Sequence, residues 1–303
     1  FTGQWKSAPI FDTSLLEREL RKGEFFGSVF LLSIQCQIKL EQGHFHEAKL
    51  LTESLKHIAE SYNYEDAKAA YYFVSTVAAI KKGSFNDALT FSEKGILQMD
   101  RMIQKPLKVA FISFKGIAET YQGKLEAALS TISDGEILLA NEQTMTPIYV
   151  MPFLLCRMLT NLHLLKDAIK KKDQFRIIQY RKATHKDAKK AVRGSKRYAP
   201  CRTGILRLMG DYYWLIDKQK KALKWWDKSI QEGECLGARP DLSRTYFEVG
   251  RRLIEPHSKY KQLNGIKAKD YLEKARTMFE EIDLQRDLDE LYRISSDSYY
   301  SGN

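Results

Sequence analysis

Paired cysteines, long apolar runs and catalytic signatures are all missing from this 303-residue chain, and each absence closes off a class of protein. The four cysteines (Cys36, Cys156, Cys201, Cys235) are scattered, with no Cys-x-x-Cys pair and no histidine at metal-ligand spacing. That excludes a disulfide framework and a zinc module. It predicts reduced thiols, most of them packed against neighbours, in a cytoplasmic protein. His44-x-His46 is a close histidine pair, but it falls in a turn, and no metal site is expected. The most apolar stretch, Ile148 to Cys156, covers nine residues and contains Pro152. A membrane helix needs about 20, so no membrane span is expected, and no signal-peptide pattern opens the chain. The 7 prolines and 17 glycines nowhere cluster into a linker. The first residue is Phe1, not methionine, which suggests a piece of something longer.

Catalytic patterns are equally absent. The sequence has no Gly-x-x-x-x-Gly-Lys-[Ser/Thr], no Gly-x-Gly-x-x-Gly, no Gly-x-Ser-x-Gly and no His-Glu-x-x-His. Carboxylate pairs such as Glu280-Glu281 and Asp287-x-Asp289-Glu290 fall on faces expected to be solvated. The expectation is a protein that is not an enzyme, carries no cofactor and works by binding.

What the chain has is a repeat. Gly43-x-Phe45-x-x-Ala48, Gly83-x-Phe85-x-x-Ala88 and Gly123-x-Leu125-x-x-Ala128 place their glycines 40 residues apart, twice over. Degenerate copies follow at Asp173-x-Phe175-x-x-Ile178 and Asp217-x-Gln219-x-x-Ala222. A fixed period of this length marks units that bury their apolar faces only by stacking. Glycine supplies the left-handed conformation that ends one helix. The aromatic or leucine packs into the turn, and the alanine lets the next helix approach closely. Gly116 and Gly210 lie seven residues before a turn position, and close helix packing is the expected compensation for glycine inside a helix.

Helical signals dominate. The predicted helices are 12–22, 27–42, 46–61, 64–82, 85–101, 106–122, 125–140, 147–172, 175–193, 200–217, 219–235, 240–255, 265–282 and 284–297. Pro106, Pro147, Pro200 and Pro240 each fall where a first helix should begin, the position proline tolerates best. Gly250 and Ala268, the small positions of the last pair, are 18 apart instead of 12. That places six extra residues in a polar loop at 256–262. Residues 12–26 are expected to cap the array, 27–140 to form three repeats, 147–199 a basic central repeat and 200–297 the C-terminal repeats. The expected fold class is all-α: a right-handed α-solenoid of about six helix pairs.

At Leu206-x-x-Met209-Gly210-x-x-Tyr213…Ala222-x-x-x-Trp226 the chain resembles a tetratricopeptide repeat, with a period of 40 to 50 in place of 34. Gly237-Ala238-Arg239-Pro240-Asp241-Leu242, Tyr271-Leu272-Glu273-Lys274-Ala275 and Phe279-Glu280-Glu281-Ile282-Asp283-Leu284 carry a second likeness. They resemble the C-terminal repeat arrays of large signalling proteins that join an ATPase, often with a cyclase or kinase, to helical repeats. The resemblance covers residues 200–292 well and 28–199 by periodicity. It implies a sensor or docking region of a multidomain cytoplasmic protein, and carries no catalytic residue onto this chain.

The net charge of +11 is unevenly spread. Between Arg157 and Arg202 fifteen Lys/Arg stand against three Asp/Glu, while the rest of the chain holds 34 basic and 35 acidic residues. Such a field attracts acidic proteins, nucleic acid or an anionic surface, or is simply a solvated face. Candidate partner-binding residues are therefore Lys170, Lys171, Lys172, Arg176, Arg181, Lys189, Lys190 and Arg193. On the first helices Arg207, Tyr212 and Arg244, with Lys115 and Arg157, are expected to line a concave groove. Trp225, 100° around its helix from Trp226, is the candidate aromatic anchor, while Tyr213 and Trp226 are expected in the core. The expected function is recognition of a protein segment, acidic by charge, or of a regulatory ligand; the alternative is nucleic-acid or other anion binding by residues 157–202.

Overall fold

A computed structural model of the chain describes residues 3, 5, 18–102, 106–140 and 146–300. It is all-α apart from one two-stranded hairpin. The helices are α1 Phe25–Gln42, α2 Phe45–Ser61, α3 Glu65–Lys82, α4 Phe85–Arg101, α5 Pro106–Tyr121, α6 Leu125–Ala140 and α7 Pro147–Lys170. Then come α8 Gln174–Ser195, α9 Arg202–Leu215, α10 Gln219–Leu236, α11 Arg239–Ile254, α12 Ala268–Glu281 and α13 Gln285–Tyr300. α5 and α7 open on the expected prolines, while Pro200 sits in a 3₁₀ turn ahead of α9. Residues 12–17 of the expected capping helix lie outside the described residues.

The repeat has a physical unit of 20 residues. Left-handed backbone recurs at Gly23, Gly43, Asn63, Gly83 and Gly123 (φ +47° to +83°). Each glycine turn closes in one way: at Gly43 the N–H donates to Leu40 O and the next N–H donates to Lys39 O, at 3.3 and 2.9 Å. Gly83 and Gly123 repeat that pattern, satisfying carbonyls the helix end would leave bare. A helix of 17 or 18 residues plus its turn fills one interval, so two make the 40-residue sequence period. The helices are therefore about 26 Å long at 1.5 Å per residue. The turn at Gly23 belongs to the same series, so Lys22-Gly23-Glu24-Phe25 is a working turn, one helix earlier than the expected first repeat.

The helices fall into two compact units, residues 4–156 and residues 157–303 with 1–3. In the first, α1 to α6 pack each on the next, and α1 on α3 and α3 on α5. The motif alanines are fully buried: Ala88 of α4 sits with Ala79 of α3 and Ala118 of α5, roofed by Phe85. Phe85 in turn stacks on Tyr121 at 4.8 Å. In the second, α9 to α13 pack consecutively, and α8 covers α9.

The structure corrects two expectations and adds detail to two others. At Gly116 and Gly210 the close packing takes the form of a neighbouring helix's side chain seated on the glycine, Cys156 Sγ on Gly116 and the Trp226 indole on Gly210. The degenerate turn at Asp173 slips by one: Lys172 holds the left-handed position (φ +56°), and Asp173 caps α8 by accepting from Arg176 N. The insertion ending the last pair includes a hairpin, β1 Gln262–Leu263 with β2 Ile266–Lys267, turned by Asn264-Gly265, so α12 starts at 268 instead of 265. Asn-Gly with both residues left-handed is the favoured two-residue turn. Finally, α7 runs 24 residues, close to the predicted 147–172. By length and composition it could span a bilayer; 56% of its apolar window is buried inside the protein, as in a core helix.

Candidate functional site

α8 is built as an amphipathic helix with an unusually cationic outer face. Its small residues Thr184, Ala188 and Ala191 are buried, as is Asp187, which holds Arg157 at 3.1 Å and Asn161 at 2.9 Å. The other two acids of the basic segment are also committed: Asp167 to Lys171 at 2.8 Å, and Asp173 to Arg176 at 3.5 Å. Lys170, Lys172, Arg181, Lys182, Lys186, Lys189, Lys190, Arg193, Lys196 and Arg197 all point outward. None of these ten has a carboxylate within 4 Å among the described residues.

One side of this face descends into a cavity of about 270 Å³ in the second unit. α8 contributes His185, Lys189 and Val192, and Lys196 follows at its C-terminal cap; spacings of 4, 3 and 4 residues stack them along one stripe. Arg193 completes the cationic rim. α9 supplies Met209 and Tyr213, and α10 supplies Trp225. The walls are thus thioether, valine and two aromatic rings, with His185 among them, while the rim carries three cations, Lys189, Arg193 and Lys196. Further cations lean over the aromatics: Lys228 Nζ lies 4.7 Å from the Trp225 centroid, and Lys221 Nζ 5.6 Å from that of Tyr213.

His185 is the polar group inside this wall. Its ring stacks on Tyr212 at 5.7 Å, and its Nδ1 is buried with no hydrogen-bond partner among the described residues. Burial, then Lys189, Lys218, Lys221 and Arg181, push its basicity down from the usual histidine value. At neutral pH the imidazole is therefore uncharged in a strongly positive surrounding.

The candidate residues divide cleanly. Lys189, Arg193 and Trp225 come together at the cavity. Lys190 is exposed just behind its rim, and Arg181 a turn before His185. Lys170, Lys171, Lys172 and Arg176 cluster around the α7–α8 turn, away from that stripe. Tyr212 is not on an open surface: it is 3% exposed, under His185, with its hydroxyl donating to Arg181 O at 3.3 Å. Tyr213, expected in the core, is the half-buried one and lines the cavity with residues of α8 and α10. Trp226 is fully buried as expected, its Nε1 donating to Asp211 at 2.9 Å. Arg207 and Arg244 are committed internally, to Asp211 at 3.2 Å and to Asp287 in two bonds at 3.0 and 2.8 Å. Lys115 reaches Glu93 at 3.4 Å.

A buried ionic cluster lies inside the same unit. Glu248 takes Arg251 at 2.5 Å and Arg252 at 2.8 Å, and Arg252 also holds Glu255, which accepts from Trp214 Nε1. Burial, then Glu248, raises the Asp211 carboxyl to about 6. Burial works against ionised Glu248 too, but its two arginines bring it down to about 2. Among the described residues no cluster of histidine, cysteine or carboxylate side chains is arranged to hold a metal ion. Against known proteins, the chain matches no family model and shows no significant similarity to a curated protein.

Proposed function

We propose that this chain is a non-catalytic docking module that binds an acidic protein segment across the outer face of α8. The observation that carries the reading is the set of ten outward cations with no carboxylate nearby, next to a cavity with aromatic walls. Folding alone gives no reason to gather like charges along α8 and its two ends, where each i,i+4 pair costs a few tenths of a kcal/mol. An acidic partner converts that cost into affinity and fast association. The finer architecture belongs to the same proposal: a right-handed, tetratricopeptide-like solenoid serving as the docking part of a larger cytoplasmic signalling protein. The recurring turns and consecutive helix pairs support it.

The test is capture from source-cell lysate, with and without nuclease, by the wild-type chain and by Lys182→Glu/Lys186→Glu/Lys190→Glu. The expected result is a discrete protein that survives nuclease and is lost by the charge-reversed variant. Recovery of nucleic acid alone would overturn the proposal in favour of phosphate binding, for which Tyr213 and Trp225 would be stacking surfaces.

A further inference from the structure

We infer that the cavity walled by Val192, Met209, Tyr213 and Trp225 is the seat for one aromatic side chain of an acidic peptide, whose carboxylates lie on Lys189, Arg193 and Lys196. This rests on the docking reading above and makes it more specific. Three observations support it. The volume, about 270 Å³, falls just below the range of small-molecule sites, so it suits a single large side chain better than a whole cofactor. Its walls are apolar, and the cations sit at the rim. That arrangement matches a side chain without polar atoms that enters between charged neighbours.

The walls also argue against a nucleic-acid base. A base buries amino and carbonyl groups, and each needs a partner or costs several kcal/mol. The cavity residues include no carboxylate and no amide; their neutral polar side-chain atoms are Tyr213 Oη, Trp225 Nε1 and the two His185 ring nitrogens, too few to meet both the amino and the carbonyl groups of a base. Phenylalanine brings no such demand. It gains area burial and ring contacts with Trp225 and Tyr213, the pattern of a binding hot spot.

His185 gives the site a readable signature. Arg181 and Lys189 on its own helix, Lys218 and Lys221 at the start of α10, and the Tyr212 ring of α9 surround it. A bound carboxylate offsets those cations and lets the imidazole take up a proton. The folded, unbound pKa is depressed and binding raises it, so affinity grows as pH falls through the range between the two values.

The experiment uses the whole chain and fluorescein-labelled 12-residue peptides rich in Asp and Glu, with a central Phe or a central Ala. A Phe peptide with serines in place of the acids and a single-stranded RNA of matching charge complete the set. The acidic Phe peptide should bind at least tenfold more tightly than its Ala counterpart at pH 7.5. Trp225→Ala should erase that preference while leaving Ala-peptide affinity unchanged. Val192→Phe, which fills the cavity without removing a packed ring, should do the same should Trp225→Ala unfold. Lowering the pH stepwise from 7.5 should strengthen Phe-peptide binding, and His185→Gln should remove that gain. Equal affinity for the Phe and Ala peptides would overturn the seat and leave the docking reading standing. Equal affinity for the serine peptide would overturn the role of the rim. Binding of RNA but of no acidic peptide, or of nothing, would overturn both readings.

Discussion

The two compact units are made from the same helix-turn unit, yet they are nearly opposites in charge and regularity. Residues 4–156 hold 16 Lys/Arg against 18 Asp/Glu, and residues 157–303 hold 33 against 20. In the first, glycine or asparagine takes the turns at 23, 43, 63, 83 and 123, and the alanines pack on alanines. In the second, Gly237 keeps the glycine turn, but Lys172, Asp217 and Asp283 take the same left-handed position elsewhere (φ +53° to +56°), at some steric cost relative to glycine. A tryptophan there lies on a glycine, and buried carboxylates hold arginines. The lesson is that stacking geometry tolerates wide exchange of side chains, provided each turn closes. The unit that departs furthest from its own repeat is the one that carries the candidate site.

The largest expected effect breaks the ionic half of this comparison. Glu248→Ala removes the buried carboxylate that holds both Arg251 and Arg252, leaving two part-buried cations short of a partner. Breaking a buried pair in this way costs about 3–5 kcal/mol. Denaturant unfolding should show that loss, and a change below 1 kcal/mol would mean water reaches the cluster freely. Next comes the packing half. Ala88→Phe, facing Ala79 and Ala118, and Ala128→Phe should each cost about 1–3 kcal/mol by overpacking. Unchanged unfolding in both would show that the alanine positions are not where helices close.

A pH titration separates the units more gently. Asp211, raised to about 6, binds its proton more tightly folded than unfolded. Its unfavourable ionisation is therefore fully felt above pH 6 and relieved as pH falls towards the ordinary carboxylate value near 4. Glu248, lowered to about 2, works the other way: its contribution is present above about 4.5 and lost as pH falls towards 2. Stability from this cluster should therefore peak near pH 4–5 and decline towards neutrality. Asp211→Asn should flatten the decline between pH 4 and 6 while leaving the acid loss. An unaltered profile would show that Asp211 titrates normally.

Much of this was legible in the sequence. Glycine at 43, 83 and 123 specifies its own backbone, so the turns and the helices between them were readable from one residue type. Ala48, Ala88, Ala128 and Ala222 followed from the spacing. The charge of α8 was plain from composition. Less legible was which ring faces in: Tyr212 and Tyr213 are adjacent and chemically identical, and only the helix that lies across them decides. The stripe at 185, 189, 192 and 196 could have been found by its spacing, but alone it says nothing of Met209 and Trp225 opposite. Arg207 and Arg244 were misjudged because a single chain does not show that Asp211 and Asp287 will be within reach.

The smallest expected effect tests the slipped turn, where the regular and irregular units differ by one residue. Phe85 follows its turn glycine by two and is buried against Tyr121. Phe175 follows the left-handed Lys172 by three, which rotates it about 100° around the helix and leaves it 79% exposed, with Ile178 beside it at 69%. Phe85→Ala should therefore cost about 3–5 kcal/mol, the usual loss for a buried ring. Phe175→Ala, away from any packed contact, should stay within about 0.5 kcal/mol. Parallel thermal melts of the two variants decide the matter. A large loss from Phe175→Ala would put Asp173 back in the turn position and restore the unslipped register. A null result would leave Phe175 and Ile178 as an apolar pair beside Arg176 and Lys172, maintained for some reason other than stability.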